Sequence, residues 1–417
     1  MTRAAGAMAE PFLSNRPKGG ALKIFLSAGE ASGDRQAAAM VAALRQLRNN
    51  LEIWAVGGSR LAAAGAEIWL DSRHAAVMGA LAALAKAPAL IPKLMQVKRQ
   101  LQIQRPDVAV LVDWGGVNVR VARWLKELEV PTLYYLPPRA WDRRARRDVA
   151  YIVDAIATQF PWSKHILSGE KARVEWVGHP LVDLVQPQMT KREAAAKFCL
   201  DLARPIVALL PGSRKAEIQH CLPVLFEAAN RIEAAFPQSQ FLIPASEQTR
   251  RHRPLLADEF RQAGLTAVIL EDMDYDALQC AGAAAAVSGT ATLELALLGI
   301  PMVVFYRVAL SGWLQYEIAR RTTVSIQFFA LPNLVANREV VKELMQYQAS
   351  PQNLADEVIG ILSDERKRDR IKDDLATVCR QLGPPGATRR AAEMVLDLVA
   401  YGTPAPVLNV AGASAAK

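Results

Sequence analysis

Short apolar runs alternate with longer amphipathic stretches along most of this chain. The runs predict strands at 22–26, 52–56, 108–112, 132–135, 155–158 and 174–177, and again at 206–210, 240–243, 267–269, 284–287 and 302–306. The stretches between them have helical length. Strands and helices in regular alternation indicate parallel sheets that are covered by helices on both faces. The chain is therefore predicted to be an α/β protein.

The alternation is interrupted near 183–190, where proline and polar residues replace the apolar pattern. At 417 residues the chain has the length of two domains. We therefore predict two doubly wound, Rossmann-like domains that face one another across a cleft. The predicted divisions are a disordered tail at 1–20, the two domains at 21–185 and 186–383, a helix within 384–401 and a second disordered tail at 402–417.

Composition narrows the class of protein. Hydrophobic residues make up 51% of the chain, but no uninterrupted apolar stretch reaches the ~18 residues of a membrane-spanning helix. Residues 1–20 lack the apolar core of a secretory signal, so a cytoplasmic protein is predicted. The formal net charge of +9 favours an anionic partner. The cysteines lack the spacing of a zinc site or a disulfide framework: Cys199, Cys221, Cys280 and Cys379.

Two loops of small residues follow predicted strands and are candidates for ligand binding. Residues 27–34 read Ser-Ala-Gly-Glu-Ala-Ser-Gly-Asp, and residues 209–214 read Leu-Leu-Pro-Gly-Ser-Arg. A strand that ends in such a loop before a helix presents backbone N–H groups at the carboxyl edge of a sheet, where α/β folds bind ligands. In the first loop Glu30, Ser32 and Asp34 stand among residues that are too small to bury them.

Two further segments predict contact with an anionic surface. Five arginines lie within nine residues, and a solvated, basic start of a helix is the alternative explanation for them: Arg139, Arg143, Arg144, Arg146 and Arg147. Residues 76–98 are apolar, are interrupted by Pro88 and Pro92, and carry several lysines. This segment suits a helix that lies on a membrane with its lysines at the headgroups, and a buried helix of the first domain is the alternative.

Seven short motifs occur in order from about residue 22 to residue 400. They are the two loops above, Ala-Val-Met-Gly at 76–79, Pro-Asp-Val with Val-Asp within 106–113, Val-Gly-His-Pro at 177–180, Ser-Gly-Thr-Ala-Thr-Leu-Glu at 288–294 and Leu-Pro-Asn-Leu at 331–334. Together they resemble the lipid-A-disaccharide synthase family. The resemblance implies an inverting glycosyltransferase of the GT-B type that needs no metal. In the two-Rossmann sugar transferases the last helix often returns to the first domain.

The resemblance also implies a reaction and its substrates. A 2,3-diacylglucosamine unit would pass from UDP-2,3-diacylglucosamine to the 6-hydroxyl of 2,3-diacylglucosamine 1-phosphate, giving a β-1,6-linked disaccharide 1-phosphate and UDP. These substrates carry acyl chains, so the resemblance implies an enzyme at the inner face of the cytoplasmic membrane.

The second domain is expected to bind the UDP-sugar. Negative charge grows on the diphosphate as the glycosidic bond breaks, and donors that are fixed in advance stabilise it. The candidates are Ser213, Arg214 and the backbone N–H groups of Gly289 and Thr290. Glu294 is expected to bind the ribose diol, with a solvated helix carboxylate as the alternative. By resemblance, Asn333 of the Leu-Pro-Asn-Leu motif joins the donor site.

The first domain is expected to hold the acceptor and the general base. A sugar hydroxyl that attacks needs a carboxylate or imidazole within ~3 Å. Asp113, directly after the predicted strand 108–112, is the first candidate, and Glu30 is the second. A role for Asp113 as a turn cap remains open. Acceptor or phosphate contacts are assigned to a further set: Ser32, Trp141, Arg144 and His179.

No metal and no other cofactor are expected. Residues 271–276 contain Asp-x-Asp twice, a pattern that could hold a divalent ion at a diphosphate. A helix is predicted to start directly after it, so capping of that helix by acidic residues explains the pattern more simply.

The sequence departs from the family pattern on the acceptor side. Arg143 replaces a second tryptophan after Trp141, Ser163 replaces an acid, and Gly116 replaces the second aspartate of the Asp113 motif. Alternatives therefore stay open: another UDP-sugar transferase or a UDP-sugar 2-epimerase of the same fold, or an inactive binder of nucleotide sugars or anionic polymers. Nucleic acid is not expected as a partner, because only Trp141 stands among the arginines as a stacking aromatic.

Overall fold

The computed structural model describes residues 20–29, 31–72, 80–137, 147–167, 171–213, 215–245, 253–307 and 328–401. The chain divides into two compact units. The first ends at Pro180 and resumes at Pro384, and the second spans Leu181–Gly383. The predicted boundary after residue 185 is thus corrected to Pro180, because the short helix at Leu181–Leu184 packs against the helix at Ala291–Leu297 of the second unit.

The described part of the first unit contains a parallel sheet of seven strands. They are β1 (Leu22–Ala28), β2 (Leu51–Gly57), β3 (Glu67–Asp71), β4 (Val108–Val112), β5 (Thr132–Tyr135), β6 (Ala155–Thr158) and β7 (Arg173–Trp176), in the spatial order β3-β2-β1-β4-β5-β6-β7. Its helices up to Pro180 are α1 (Ala31–Leu47), α2 (Ser59–Ala63), α3 (Ala80–Gln104), α4 (Gly115–Glu127), α5 (Arg147–Ile152) and α6 (Pro161–Leu167).

The second unit contains six parallel strands within its described residues. They are β8 (Ile206–Leu210), β9 (Gln240–Ala245), β10 (Thr266–Glu271), β11 (Ala283–Val287), β12 (Met302–Tyr306) and β13 (Lys342–Met345), in the order β10-β9-β8-β11-β12-β13. Its helices are α7 (Leu181–Leu184), α8 (Lys191–Lys197), α9 (Lys215–Ala235), α10 (Arg253–Gln262), α11 (Tyr275–Leu278), α12 (Ala291–Leu297), α13 (Leu331–Ala336), α14 (Pro351–Ser363) and α15 (Glu365–Gln381).

Both faces of the first sheet are buried, which explains why its strands are continuously apolar. Val108, Val110 and Val112 of β4 pack into a core with α1, whereas Ala109 and Leu111 face a second core on the opposite side. All five side chains are fully buried. Continuous Val, Leu and Ala runs are what a parallel sheet with two covered faces requires.

The last helix, α16 (Ala387–Tyr401), belongs to the first unit, as predicted. Ala391, Val395 and Leu398 join the core that α1 shares with the sheet. The Arg390 guanidinium donates to the carbonyl of Val177 at 2.7 and 3.0 Å, and to those of Pro384 and Pro385 at 2.8 Å each. The helix therefore completes one face of the first sheet.

The apolar segment 76–98 lies largely on α3, and residues 76–79 fall outside the described part of the chain. Leu94 and Val97 are buried in the core of the first unit, whereas Ile91 and Met95 are 46% and 52% exposed. The alternative of a buried helix thus holds for Leu94 and Val97, which pack in that core, and membrane contact stays a prediction for the exposed side. No helix among the described residues combines the length and hydropathy needed to cross a membrane.

Candidate functional site

Each sheet has one point at which the strand order reverses. In the first unit β1 and β4 lie side by side, and in the second unit β8 and β11 do. Helices leave to opposite faces at such a point, which opens a crevice at the carboxyl ends of the two strands. The predicted loops at 27–34 and 209–214 begin at these two points. The residues after β4 and β11 complete each crevice.

Asp113 follows β4 directly and has an unusual backbone. Asp113 and Trp114 have φ values of +49° and +51°, a left-handed conformation that costs roughly 1–2 kcal/mol for each non-glycine residue. The N–H of Asp113 donates to the carbonyl of Tyr135 at 3.1 Å. Its own carbonyl accepts from Asn118 Nδ2 at 2.9 Å and from the Tyr134 hydroxyl at 2.8 Å. The turn is therefore held by several hydrogen bonds.

Asn118 connects the ends of β1 and β4. Its Nδ2 also lies 3.2 Å from the carbonyl oxygen of Ser27 and 3.1 Å from that of Val112. Its Oδ1 accepts from the Ser27 hydroxyl at 2.6 Å. Asn118 and Ser27 are fully buried. Asn118 was not predicted as a site residue, and its place at the end of the Asp113 motif, residues 113–118, was the available signal.

Gly29 allows the Trp114 ring to cover the end of β1. A Cβ atom at Gly29 would come within 2.2 Å of Trp114 Cγ, so no larger residue fits there. A Cβ atom at Gly33 would lie 4.0 Å from the Cβ of Asp113, which brings the first turn of α1 beside Asp113. Ser32 belongs to that turn and is half-buried. Glu30, the second candidate base, lies outside the described residues.

Asp34 has a structural role that differs from the sequence expectation. It is 5% exposed, and its carboxylate accepts from the backbone N–H groups of Gly58, Arg60 and Leu61 at 2.6, 3.0 and 3.4 Å. The small residues next to Asp34 do not leave its carboxylate exposed, because the loop after β2 folds over it and α2 starts there. Asp34 therefore caps α2.

His179 lies apart from Asp113 along the sheet. It follows β7, three strands from β4, a separation of roughly 14 Å at the usual strand spacing. The imidazole is 5% exposed and lies near the Phe160 ring, with 5.6 Å between centroids. Burial lowers the pKa of His179 to about 3. A neutral imidazole offers no positive charge to a phosphate but retains an N–H donor, so the assignment of His179 to an acceptor or phosphate contact stays a prediction. Trp141 and Arg144 lie outside the described residues.

The Pro-Gly-Ser loop after β8 rests on a buried carboxylate. Gly212 has φ +94°, and a Cβ atom there would come within 2.7 Å of Glu217 Oε2. The same oxygen accepts from the Ser213 N–H at 3.2 Å. Glu217 is 5% exposed and Ser213 is exposed. Glu217 thus shapes the loop from beneath, a role that the sequence did not reveal. Arg214 lies outside the described residues.

Gly289 and Thr290 stand at the open start of α12. Gly289 is exposed and Thr290 is half-buried, and a Cβ atom at Gly289 would have no described heavy atom within 4 Å. The Ser288 hydroxyl donates to the carbonyl of Phe329 at 2.7 Å, and the Thr292 hydroxyl donates to that of Gly289 at 2.8 Å. The loop is therefore anchored on both sides and accessible at its tip.

Glu294 lies on α12 and is 3% exposed, so the alternative of a solvated helix carboxylate is wrong. Its Oε2 accepts from the Tyr275 hydroxyl at 2.6 Å. Tyr275 is the first residue of α11 and lies within the acidic run at 271–276. The carboxylate is therefore held in one orientation between two helices at the ligand edge of the sheet.

Asn333 supports the chain instead of offering a group to a donor sugar. It is fully buried. Its Nδ2 donates to the Val341 carbonyl and to Glu343 Oε1, both at 2.8 Å, and its Oδ1 accepts from the N–H groups of Val340 and Val341 at 2.8 and 2.9 Å. Both amide hydrogens and the carbonyl oxygen are thus used by the protein. The structure corrects its assignment to the donor site.

Glu343, the partner of Asn333, also holds the start of α13. Its carboxylate accepts from the N–H groups of Phe329 and Ala330, each at 2.9 Å. Burial raises the pKa of Glu343, and these hydrogen bonds oppose the rise.

The acidic run at 271–276 stabilises the fold locally. Asp274 caps α11 by accepting from the Ala277 N–H at 3.1 Å, which confirms the capping prediction. Asp276 Oδ1 accepts from the N–H groups of Gln188 and Met189 at 2.6 and 2.8 Å. In the part of the chain that the structure describes, no group of three or more His, Cys, Asp and Glu residues is arranged to hold a metal ion.

Two Rossmann-like units with paired loops at both reversal points define the class of GT-B proteins, and solved structures share this fold. A Staphylococcus aureus MnaA–UDP co-structure has a TM-score of 0.61 at 14% identity, covering 90% of this chain and 96% of that chain. Acinetobacter baumannii MurG has a TM-score of 0.51 at 16% identity, covering 90% and 99%. At such identities the likeness concerns the fold alone.

Sequence comparison identifies the family. A family model described as Lipid-A-disaccharide synthetase matches residues 24–397. A lipid-A-disaccharide synthase of Geobacter metallireducens is 36% identical over 380 residues, which cover 90% of this chain and 97% of the relative. One of Myxococcus xanthus is 36% identical over 382 residues, covering 91% and 98%. The chain belongs to the lipid-A-disaccharide synthase family and is a glycosyltransferase of lipid A synthesis, as the motifs predicted.

The same comparisons disfavour the alternative functions. The UDP-N-acetylglucosamine 2-epimerase structure of Listeria monocytogenes is 13% identical to this chain and shares its fold. The relatives named lipid-A-disaccharide synthase match at about a third identity over nearly their whole length. An epimerase or an inactive binder is therefore not favoured.

Proposed function

We propose that this chain transfers a 2,3-diacylglucosamine unit from UDP-2,3-diacylglucosamine to the 6-hydroxyl of 2,3-diacylglucosamine 1-phosphate. The products are the β-1,6-linked disaccharide 1-phosphate and UDP. The observation that carries the proposal is the fixed position of Asp113, at the carboxyl end of β4 and beside the reversal point of the sheet. A carboxylate at that point suits a base that must meet one defined hydroxyl.

In this proposal Asp113 removes the proton of the 6-hydroxyl while that oxygen attacks the anomeric carbon. Asp113 is half-buried at the carboxyl end of β4. The first turn of α1 lies beside it and carries Ser32, which would hydrogen-bond the acceptor. Glu30 is the competing base, and Trp141 and Arg144 are retained as proposed acceptor contacts.

The second unit would bind UDP and stabilise it as it leaves. Gly289, which is exposed, and Thr290, which is half-buried, stand at the start of α12 and would offer their backbone N–H groups to the diphosphate, and the exposed Ser213 lies after the neighbouring strand β8. Glu294 would accept hydrogen bonds from the ribose diol. Arg214 would meet the diphosphate charge in both the ground and the transition state, so Arg214→Ala should weaken UDP-sugar binding and lower turnover together. Unchanged affinity in titration calorimetry would remove Arg214 from the site.

Transfer without a metal ion forms part of the proposal. Asp274 and Asp276, the acidic residues most suited to a diphosphate-bound ion, already accept backbone N–H groups. Positive charge at the leaving group would then come from Arg214 and from the backbone dipoles. Activity that disappears with EDTA and returns with Mg²⁺ would contradict this part.

We also propose that α3 brings the enzyme to the inner face of the cytoplasmic membrane. Ile91 and Met95 are exposed and one helical turn apart, next to the exposed Lys93 and Arg99. Substrates with acyl chains lie in the lipid, so the site must be near its surface. Apolar side chains at the acyl boundary with basic residues at the headgroups suit that task.

The direct test combines the purified protein with both proposed substrates. Mass spectrometry should detect the disaccharide 1-phosphate together with an equal amount of UDP. Asp113→Asn under the same conditions is the control, and UDP-N-acetylglucosamine alone tests for epimerisation. Failure to form a disaccharide, or release of UDP without the acceptor, would refute the proposed reaction.

A further inference from the structure

Asn118 occupies a position at which three backbone carbonyls converge. The carbonyl oxygens of Ser27, Val112 and Asp113 lie 3.2, 3.1 and 2.9 Å from its Nδ2. The first belongs to β1, the second ends β4, and the third is the carbonyl of the proposed base. Carbonyl oxygens repel one another unless a donor lies between them, and the side-chain amide supplies two hydrogens at that point.

We propose that Asn118 is a positioning residue for the transfer reaction, which holds the Asp113 carboxylate in its reactive place. The inference rests on the proposed function, in which Asp113 is the base. Asn118 does not itself meet substrate: it is fully buried, its Nδ2 faces three carbonyls and its Oδ1 accepts the Ser27 hydroxyl. It acts through the backbone of Asp113.

The backbone of Asp113 needs such a support. Asp113 and Trp114 both have positive φ although neither is glycine, and such conformations persist where the surroundings impose them. Asn118 is anchored in turn, because it lies in the first turn of α4 and its own N–H donates to the Trp114 carbonyl at 3.0 Å. The amide therefore closes the turn that it stabilises and ties that turn to β1.

Tyr134 gives the same carbonyl a second, independent donor. Its side chain is fully buried on β5, and its hydroxyl donates to Asp113 O at 2.8 Å. The two donors reach the carbonyl from different elements, α4 and β5. Loss of either one should loosen the turn, and loss of Asn118 should loosen it more, because Asn118 also joins the two strands.

The test compares Asn118→Ala with a matched control in the second unit. Gln240 is also a buried side-chain amide: its Nε2 donates to the Asp201 carbonyl and its Oε1 accepts from the Asp201 N–H, both at 2.8 Å. It lies at the amino end of β9, away from the ligand edge.

Per folded enzyme, Asn118→Ala should lower kcat by about 10²-fold, the cost of a reacting group displaced by about 1 Å. The donor KM should stay within about twofold, and Gln240→Ala should change kcat by less than about twofold.

A double-mutant cycle with Asp113→Asn separates positioning from a general structural role. If Asn118 acts through the carboxylate, adding Asn118→Ala to Asp113→Asn should lower kcat by less than about twofold further. A kcat of Asn118→Ala within about threefold of wild type would overturn the inference. The inference would also be overturned if Asn118→Ala lowered kcat by the same factor in the Asp113→Asn background as in the wild-type enzyme.

The cycle also distinguishes failure of the inference from failure of the proposed function. The single variant Asp113→Asn tests whether Asp113 is the general base. If this variant keeps more than a tenth of wild-type kcat, Asp113 is not the base and Asn118 cannot act through it. If Asn118→Ala does not fold, Tyr134→Phe enters the same cycle, because it removes one hydroxyl from the same carbonyl. Tyr134→Phe should lower kcat by about tenfold, and this decrease should also be absent in the Asp113→Asn background. A Tyr134→Phe enzyme with wild-type kcat would then overturn the inference.

Discussion

The role of each polar side chain in the ligand loops depends on which of its hydrogen-bonding atoms the protein already uses. The side chains of Asn333 and Asp34 are engaged by other groups of their own unit: Asp34 by backbone N–H groups, and Asn333 by backbone groups and the Glu343 carboxylate. Ser213 and Gly289 lie in loops of the same kind but are exposed. Polar residues in similar motifs are therefore divided between support of the fold and contact with ligands.

The first prediction at the residue scale concerns Asp113→Asn. The amide keeps the shape of the side chain but cannot accept the proton of the 6-hydroxyl. Turnover should fall by roughly 10²- to 10⁴-fold, the usual effect of losing a general base. UDP-sugar affinity, measured by calorimetry, should stay nearly unchanged. A decrease of less than tenfold would make Glu30 the leading base.

A second prediction concerns acid stability and His179. Burial lowers its pKa in the folded state to about 3, against 6.5 as the ordinary value. Between these two pH values His179 is therefore protonated in the unfolded chain and neutral in the folded one. Its contribution to stability is complete above pH 6.5 and is lost as the pH falls from there towards 3. The slope is about 1.4 kcal/mol per pH unit. Urea titrations of wild type and His179→Gln should differ in this slope, and equal slopes would contradict the assignment.

Residue roles were predictable from the sequence where chemistry and chain position coincide. Asp113 was found because it directly follows an apolar run. Asn118 and Glu217 were missed, because their roles depend on tertiary geometry: Asn118 bonds a residue 91 positions away, and Glu217 lies beneath a loop that only the fold brings over it. Asn333 was misassigned, since a motif does not show that both of its amide hydrogens are taken.

At the scale of elements, burial decides which strands a sequence reveals. The central strands have two covered faces and are continuously apolar, as in β4 and β11. β3 and β13 were not predicted from the sequence; both lie at sheet edges and pair on one side. β3 begins with the exposed Glu67 and has no buried residue, and β13 begins with the exposed Lys342. Polar and half-exposed edge strands lack the pattern that marks a strand.

The exposed side of α3 yields a prediction about membranes. The double variant Ile91→Ser and Met95→Ser should reduce binding to anionic vesicles with little change in melting temperature, because both side chains are exposed. Leu94→Ser is the matched control on the same helix: it should lower the melting temperature, because Leu94 is 3% exposed. Binding should weaken with salt, as each basic residue contributes on the order of 1 kcal/mol. Wild-type protein that does not bind such vesicles in a flotation assay would refute the membrane role.

At the scale of the whole molecule, the chain leaves the first unit at Pro180 and returns to it at Pro384. The return was predicted from the resemblance. Its packing partners were not predictable, because Met40, Val41 and Leu44 of α1 meet α16 only in the folded unit. The Arg390 guanidinium holds both connections, through Val177 and through Pro384 and Pro385.

A prediction at this scale concerns the packing of α16. Leu398→Ala should lower the free energy of unfolding by about 2–5 kcal/mol, the usual cost of truncating a buried leucine. Leu398 is 3% exposed. Glu393→Ala on the exposed side of the same helix is the control and should change stability by less than about 0.5 kcal/mol. Urea denaturation of both variants measures the difference, and equal stabilities would show that α16 adds little to the core.

The return of α16 also sets an order of events during synthesis. Residues 181–383 are contiguous, so the second unit can complete its core while later residues are still being added. The first sheet emerges earlier, but Ala391, Val395 and Leu398 reach it only after residues 181–383 have been synthesised. The nascent N-terminal half therefore carries an open apolar surface throughout translation of the other half. That surface is the place where a ribosome-associated chaperone would be expected to bind.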